Sequence, residues 1–227
     1  MSLTTIRRQV ISCQRCPRLR AYCARVARQK RAAFREHDYW GRPIPGFGDR
    51  RARVLVLGLA PAAHGANRTG RIFTGDGSSD FLMHAMHGAG FASIPTSRHA
   101  KDGLTLTDAY ISAVVRCAPP ENKPTPKEIA NCQPHLELEL AALTRLRVVV
   151  SLGRVAFDAY WRLMATLGLK LRPRPKFTHE AVFESPRGPI LVASYHPSQQ
   201  NTHTGKLTPD MLAAVFAKAR KLAQTEH

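Results

Sequence analysis

No run of apolar residues approaches the ~20 that a bilayer span requires, which argues against a membrane protein. The basic N-terminus has no apolar core of the kind a secretory leader carries, so a cytoplasmic chain is expected. Neither a G-x-G-x-x-G nor a G-x-x-x-x-G-K-[ST] fingerprint follows the first apolar strand, which ranks a nucleotide-binding α/β enzyme last. Internal repeats and low-complexity linkers are absent as well. Acids are scarce: Asp and Glu total 16 against 34 Lys and Arg, a formal charge of +18. Not one acid interrupts the stretch holding Arg15, Arg18, Arg20, Arg25, Arg28, Lys30, Arg31 and Arg35, and Arg172, Arg174 and Lys176 form a second basic group. Such an excess exceeds what a merely solvated basic face needs and points to a polyanionic partner, nucleic acid above all.

With 44% hydrophobic residues, the 227-residue chain can bury a full core, and a single domain over 1–227 is expected. Four short apolar, β-branched runs read as buried strands: Arg53–Leu59, Tyr110–Val115, Arg147–Leu152 and Ile190–Ser194. Helical spacing fills the intervals. Ser78–Gly90 and Gly153–Gly168 both stop at a glycine, and Thr125–Leu143 opens with a cap-like Thr125, Pro126 and Glu128. A last helix starts at Thr208 and runs to about Leu222. Strands alternating with helices predict an α/β fold with a parallel sheet covered on both faces. Residues 1–50 form an N-terminal arm, helical and then loop ("GRPIPGFGD"), ahead of a core over 51–227. In such sheets ligands bind beyond the C-terminal strand ends. The loops there have unusual chemistry: "GLAPAAHGANRTGRIFTGD" (Gly58–Asp76), "RCAPPENKPTP", "SLGR" and "SYHPSQQNTHTG".

The chain has five cysteines. Cys13 and Cys16 form a CxxC that precedes every strand, the wrong place for a thioredoxin-like redox pair. Cys117 follows the second strand and Cys132 lies in the next helix. Two close pairs far apart in sequence suit a four-thiolate site, and spacing alone leaves zinc and an iron–sulfur cluster both open. Either would tie the arm to the core. Cys23 is left over, as an apolar filler or a substitute ligand.

At this point the residues resemble a family. Gly58–Asp76 resembles the first motif of the uracil-DNA glycosylase superfamily, and "SYHPSQQN" (Ser194–Asn201) resembles its second, His-Pro-Ser motif. Cys13, Cys16, Cys117 and Cys132, with "VRCAPPENKPTP", resemble the iron–sulfur branch, and the Ala-rich first motif resembles family 5, type B. The resemblance runs in order from Cys13 to the C-terminus. It implies a three-layer α/β/α fold with a four-stranded parallel sheet, a [4Fe–4S] cluster rather than zinc, and hydrolysis of the N-glycosidic bond of uracil or other damaged bases in DNA. A monomer associated with the nucleoid through DNA is expected.

Such an enzyme must extrude the base, stack it and stabilise it as it leaves. By the family pattern Phe73 stacks on the base, where the alternative is a core plug. His196, held by Pro197, donates to the departing base, where the alternative is a cap on the sheet edge. Leu59 and Ala60 stand where other families place an Asp, Asn or Glu, so Asp76 is the nearest acid able to activate water, and a plain helix N-cap explains it equally well from physics alone. The related family 4 ends its second strand Asn-Val-Val-Lys-Cys. Here the run is Ala113-Val114-Val115-Arg116-Cys117, and losing that base-edge hydrogen bond predicts a wider substrate range, extending to hypoxanthine, xanthine or oxidised and etheno pyrimidines. Asn122 is a substitute reader or a turn residue. Ala62 and His64 are candidates for the pocket wall. Ser198, Gln199, Asn201 and Lys206 are candidates for DNA contact, and Arg68 for phosphate or loop bracing. The competing reading is a non-enzymatic nucleic-acid binder with a structural Cys₄ site, which has no need of a histidine and an aromatic at one sheet edge.

Overall fold

The computed structural model describes residues 1–169, 171–185 and 188–225. Four strands, β2 (Val54–Gly58), β3 (Ala109–Ala113), β4 (Val148–Leu152) and β6 (Gly188–Ser194), pair in parallel in the order β3-β2-β4-β6. β2, β3 and β4 are buried along their whole length, as expected of strands covered on both faces. The expected sheet of four parallel strands is extended to six. β1 (Phe47–Gly48) pairs antiparallel with β3 at one edge, and β5 (Val182–Ser185) pairs antiparallel with β6 at the other. The α/β class holds; the two added strands are short edge pieces, β1 paired with a distant strand and β5 with the next one in the chain.

One face carries Val54, Val56, Ile111, Val150 and Val192 against α4 (Gly77–Gly88) and α8 (Pro209–Gln224), with Leu82, Met86, Leu212 and Phe216 filling the layer. The other carries Leu55, Leu57, Val149 and Leu191 against α2 (Pro17–Gln29), α5 (Pro126–Ala142) and α6 (Arg154–Thr166), through Leu19, Leu136, Phe157 and Tyr160. Each of these fully buried side chains contributes about 1.5–3 kcal/mol. The first helix, α1 (Leu3–Ile11), packs on α5. The arm is therefore part of the core layer, with Leu19 and Cys23 fully buried.

The capping signals in the sequence produce the helices they predict. Thr125 and Glu128 complete a capping box at the start of α5, and Thr208 caps α8. Two single-turn helices, α3 (Ala66–Thr69) and α7 (Gln199–His203), lie inside stretches read as loop. Among the described residues no helix is long and apolar enough to cross a membrane.

Register aligns the strand ends: Gly58 pairs with Ala113, Leu57 with Ser151, and Leu152 with Ser194. The chain leaves β2 for β3 on one side and returns to β4 on the other. The crevice beyond β2 and β4 is thus the topological switch point, where ligands of open α/β sheets bind.

Candidate active site

Phe73 rests on the end of β2. A Cβ added at Gly58 would lie 2.7 Å from Phe73 Cε2, so only a glycine lets the ring lie against the strand. The residue itself has φ +48°, an uncommon conformation for a bulky side chain and one that the surroundings must hold. Arg71 does so. Its Nε donates to Thr74 Oγ1 at 2.9 Å, and its Nη2 donates to Ser97 Oγ at 2.9 Å and Asp102 Oδ2 at 2.6 Å. Burial opposes ionisation of Asp102, but the Arg71 hydrogen bond and the Leu104 and Arg98 backbone N–H groups outweigh it, and the carboxyl titrates at about 2.

His196 follows β6 and crosses to the same place. Its ring centroid lies 6.0 Å from that of Phe73, with the planes 33° apart. Gly153, at the end of β4, makes room: a Cβ there would lie 3.1 Å from His196 Cβ. The His196 carbonyl accepts from the Ser198 N–H at 2.8 Å and from Asn201 Nδ2 at 2.9 Å, which fixes the loop. The residue is half-buried, and burial pushes its pKa down to about 4. At neutral pH it is an uncharged imidazole, which still carries one N–H to donate.

Asp76 caps α4, and it does so with one oxygen. Oδ1 accepts from the Ser79 backbone N–H at 2.9 Å and the Ser79 hydroxyl at 2.8 Å. Oδ2 makes no hydrogen bond among the described residues and faces Gly65, where an added Cβ would lie 2.1 Å from it. The same carboxylate can therefore cap with one oxygen and offer the other. Gln199 closes this side of the crevice: a Cβ on Gly77 would lie 3.2 Å from its amide nitrogen.

The other candidates divide. Ala62 and His64 lie half-buried in the loop between β2 and Phe73, and Tyr39, from the arm, hydrogen-bonds His64 Nδ1 at 2.9 Å. Burial, with Arg31 and Arg68 nearby, lowers the His64 pKa. Ser198 caps α7, accepting from the Asn201 N–H at 3.4 Å, while Gln199 and Lys206 are exposed, Lys206 over the Tyr195 ring. Arg68 is not presented to a DNA backbone. It is buried, donates to the carbonyls of His64 (2.8 Å) and Gly75 (2.7 Å), bonds His37, and stacks on Phe34, so it braces the loop. Asn122 is exposed in a tight turn at φ +57°, beside Lys123, whose carbonyl accepts from Arg18. The structure places it with the arm and gives it no contact with Phe73 or His196 among the described residues.

Sequence reasoning missed Tyr39, Trp40, Gly65 and Ser79. Trp40 packs on Gly70, and the Trp40 and Gly41 N–H groups donate to the carbonyls of Arg68 and Asn67, so residues 37–41 clamp the motif loop. Gly65 and the spacing of Ser79 from Asp76 were visible signals; the clamp was not.

The cysteines gather between the arm and α5. Burial pushes the Cys132 thiol up to about 11 despite the nearby Arg116, and Cys13 and Cys16 push in the same direction. Cys23 lies beside Cys117 and donates to the Ala118 carbonyl at 3.6 Å. The sulfurs accept N–H donors: Arg116 N–H to Cys132 at 3.3 Å and Asn131 Nδ2 to Cys16 at 3.7 Å. Among the described residues no three His, Cys, Asp or Glu side chains converge closely enough to clasp a single ion. Arg18 ties this end of the arm to α5 by a bidentate pair with Glu128, at 2.7 and 2.8 Å.

Comparison with known proteins gives consistent results. The family model for the uracil DNA glycosylase superfamily matches residues 45–220. A type-5 uracil-DNA glycosylase of Mycobacterium tuberculosis is 50% identical over 215 residues, 94% of this chain and 79% of that one. One from Thermus thermophilus is 50% identical over 212 residues (93% and 94%). One from Pyrobaculum aerophilum is 43% identical over 211 residues (93% and 89%).

Proposed function

The chain belongs to the uracil-DNA glycosylase superfamily, and we propose that it excises uracil from DNA in base-excision repair, working as a monofunctional N-glycosyl hydrolase. The observation that carries the reading is the pairing of Phe73 with His196 at the sheet's switch point. An aromatic face and a neutral N–H donor on one crevice wall are what an extruded base needs.

In the proposed reaction the base stacks on Phe73. A water oxygen adds to C1′ of the deoxyribose as the C1′–N1 bond breaks, and the bonding electrons leave with the base. His196 donates to the base oxygen on which charge develops, an effect worth about 3–4 kcal/mol for a well-placed donor. Asp76 Oδ2 takes the water's proton. Ala113, buried and level with Gly58, offers the base no hydrogen bond from its side chain, which supports a substrate range wider than uracil. DNA is held by the basic surface around the arm and by Gln199 and Lys206, in a complex formed by one copy of the chain.

Cys13, Cys16, Cys117 and Cys132 would hold the [4Fe–4S] cluster. The N–H donors on the Cys132 and Cys16 sulfurs support a cluster there. Held by these residues, it would supply a covalent staple between the arm and α5. Release of free uracil from a uracil-containing duplex, leaving an alkali-labile site, tests the reading; no scission with any lesion overturns it.

A further inference from the structure

We infer that Ser79 is a positioning residue for excision, holding the Asp76 carboxylate so that Oδ2 alone is presented to the attacking water. The inference rests on the proposed role of Asp76 as the base.

An Asp N-cap needs only the N–H of the third helical residue. Here that bond is present, from Ser79 N at 2.9 Å, and the Ser79 hydroxyl adds a second donor to the same oxygen at 2.8 Å. For capping it is redundant. Ser79 is fully buried, and its hydroxyl has no other partner among the described residues, so the bond is not shared with solvent. Two donors on Oδ1 fix the rotation of the carboxylate about its Cβ–Cγ bond. Turning it would break both bonds and leave a buried hydroxyl unpaired, which is costly.

Gly65 supplies the opposing wall. With no side chain there, Oδ2 sits where any Cβ would be 2.1 Å away, and the Asp76 Cγ would be only 3.0 Å from it. The carboxylate is thus held from two sides, by Ser79 on Oδ1 and by the Gly65 backbone on Oδ2. A base that must meet a water at one point gains from such fixing, because small misplacements of a reacting group cost large factors in rate.

The experiment measures single-turnover uracil release by the full chain, with DNA affinity and thermal midpoint recorded for each variant. Asp76→Asn should slow release by about a hundredfold or more, the usual share of general-base help. Ser79→Ala keeps the backbone cap and should slow release on the order of tenfold, as expected for one hydrogen bond to a charged group, with DNA affinity unchanged. Ser79→Cys refills the space with a weak donor and should match Ser79→Ala; Ser79→Thr, if it restores the hydroxyl, should recover most of the rate. In the Asp76→Asn background Ser79→Ala should cost nothing further. A wild-type rate for Ser79→Ala beside a slow Asp76→Asn overturns the positioning role and leaves Asp76 as the base. A full additive loss in the double variant assigns Ser79 to the fold and also overturns it. A wild-type rate for Asp76→Asn removes the base itself, and the inference with it.

Discussion

The Phe73 ring and the His196 imidazole stand 6.0 Å apart, although one follows the first buried strand and the other the last parallel one. Gly58 and Gly153, at neighbouring strand ends, are the residues whose missing side chains let the two rings approach. The pair is a product of sheet topology, and the chemistry proposed for the protein is built on it.

Arg71 and Asp102 brace the turn that carries Phe73 through Thr74 and Ser97, and both side chains are buried. Asp102→Asn removes the counter-charge and should destabilise the fold by roughly 3 kcal/mol, the usual penalty for leaving one member of a buried pair. Urea denaturation measures it. Because Asp102 titrates at about 2, below the ordinary carboxylate value, its contribution is complete above about pH 4 and is lost as pH falls toward 2. In the variant that part of the acid dependence should vanish.

His196 gives a second pH signature. Its folded-state pKa of about 4 lies below the ordinary histidine value near 6.5, so the unfolded chain takes the proton first. Stability from this group is complete above about pH 6.5 and falls as pH drops to about 4, by no more than about 1.4 kcal/mol per pH unit. His196→Gln should flatten the stability profile in that window, as read by denaturant midpoints.

Ala113→Asn tests substrate range. A side-chain amide at the end of β3, level with Gly58, restores a donor and acceptor beside the crevice. Uracil release should persist while release of hypoxanthine and xanthine falls at least about tenfold, the scale of a lost or mismatched buried hydrogen bond. Competition between lesion-bearing duplexes reads the ratio.

The cysteines make a separate prediction. Cys117→Ser should remove bound iron and sulfide and loosen the arm, seen as faster proteolysis within residues 30–41, where the clamp on the motif loop lies. Iron-free wild-type protein would assign the thiols a purely packing role, and unchanged iron content in the variant would exclude Cys117 as a ligand.

The four parallel strands were legible because each is a continuous apolar run buried on both faces, and α5 was legible because Thr125, Pro126 and Glu128 are local signals. β1 and β5 were not, since a two-residue piece such as Phe47–Gly48 is defined only by its partner Tyr110–Ile111. The same limit governs the site. Phe73, Asp76 and His196 stand in motifs with their own local chemistry. Arg68 reads in sequence as a phosphate ligand or a loop brace, and the structure decides for the brace through His37, a partner 31 residues away, just as Asp102, 31 residues on, claims Arg71. Nor could sequence show that Asp76 divides its two oxygens between cap and crevice.

The most direct test is single-turnover release of free uracil from a duplex by the wild type, Phe73→Ala, His196→Ala and the double variant. The account predicts release by the wild type, a drop of about a hundredfold or more for His196→Ala, a clear drop for Phe73→Ala, and a double variant slowed by less than the product of the two. Wild-type rates in both single variants would contradict it.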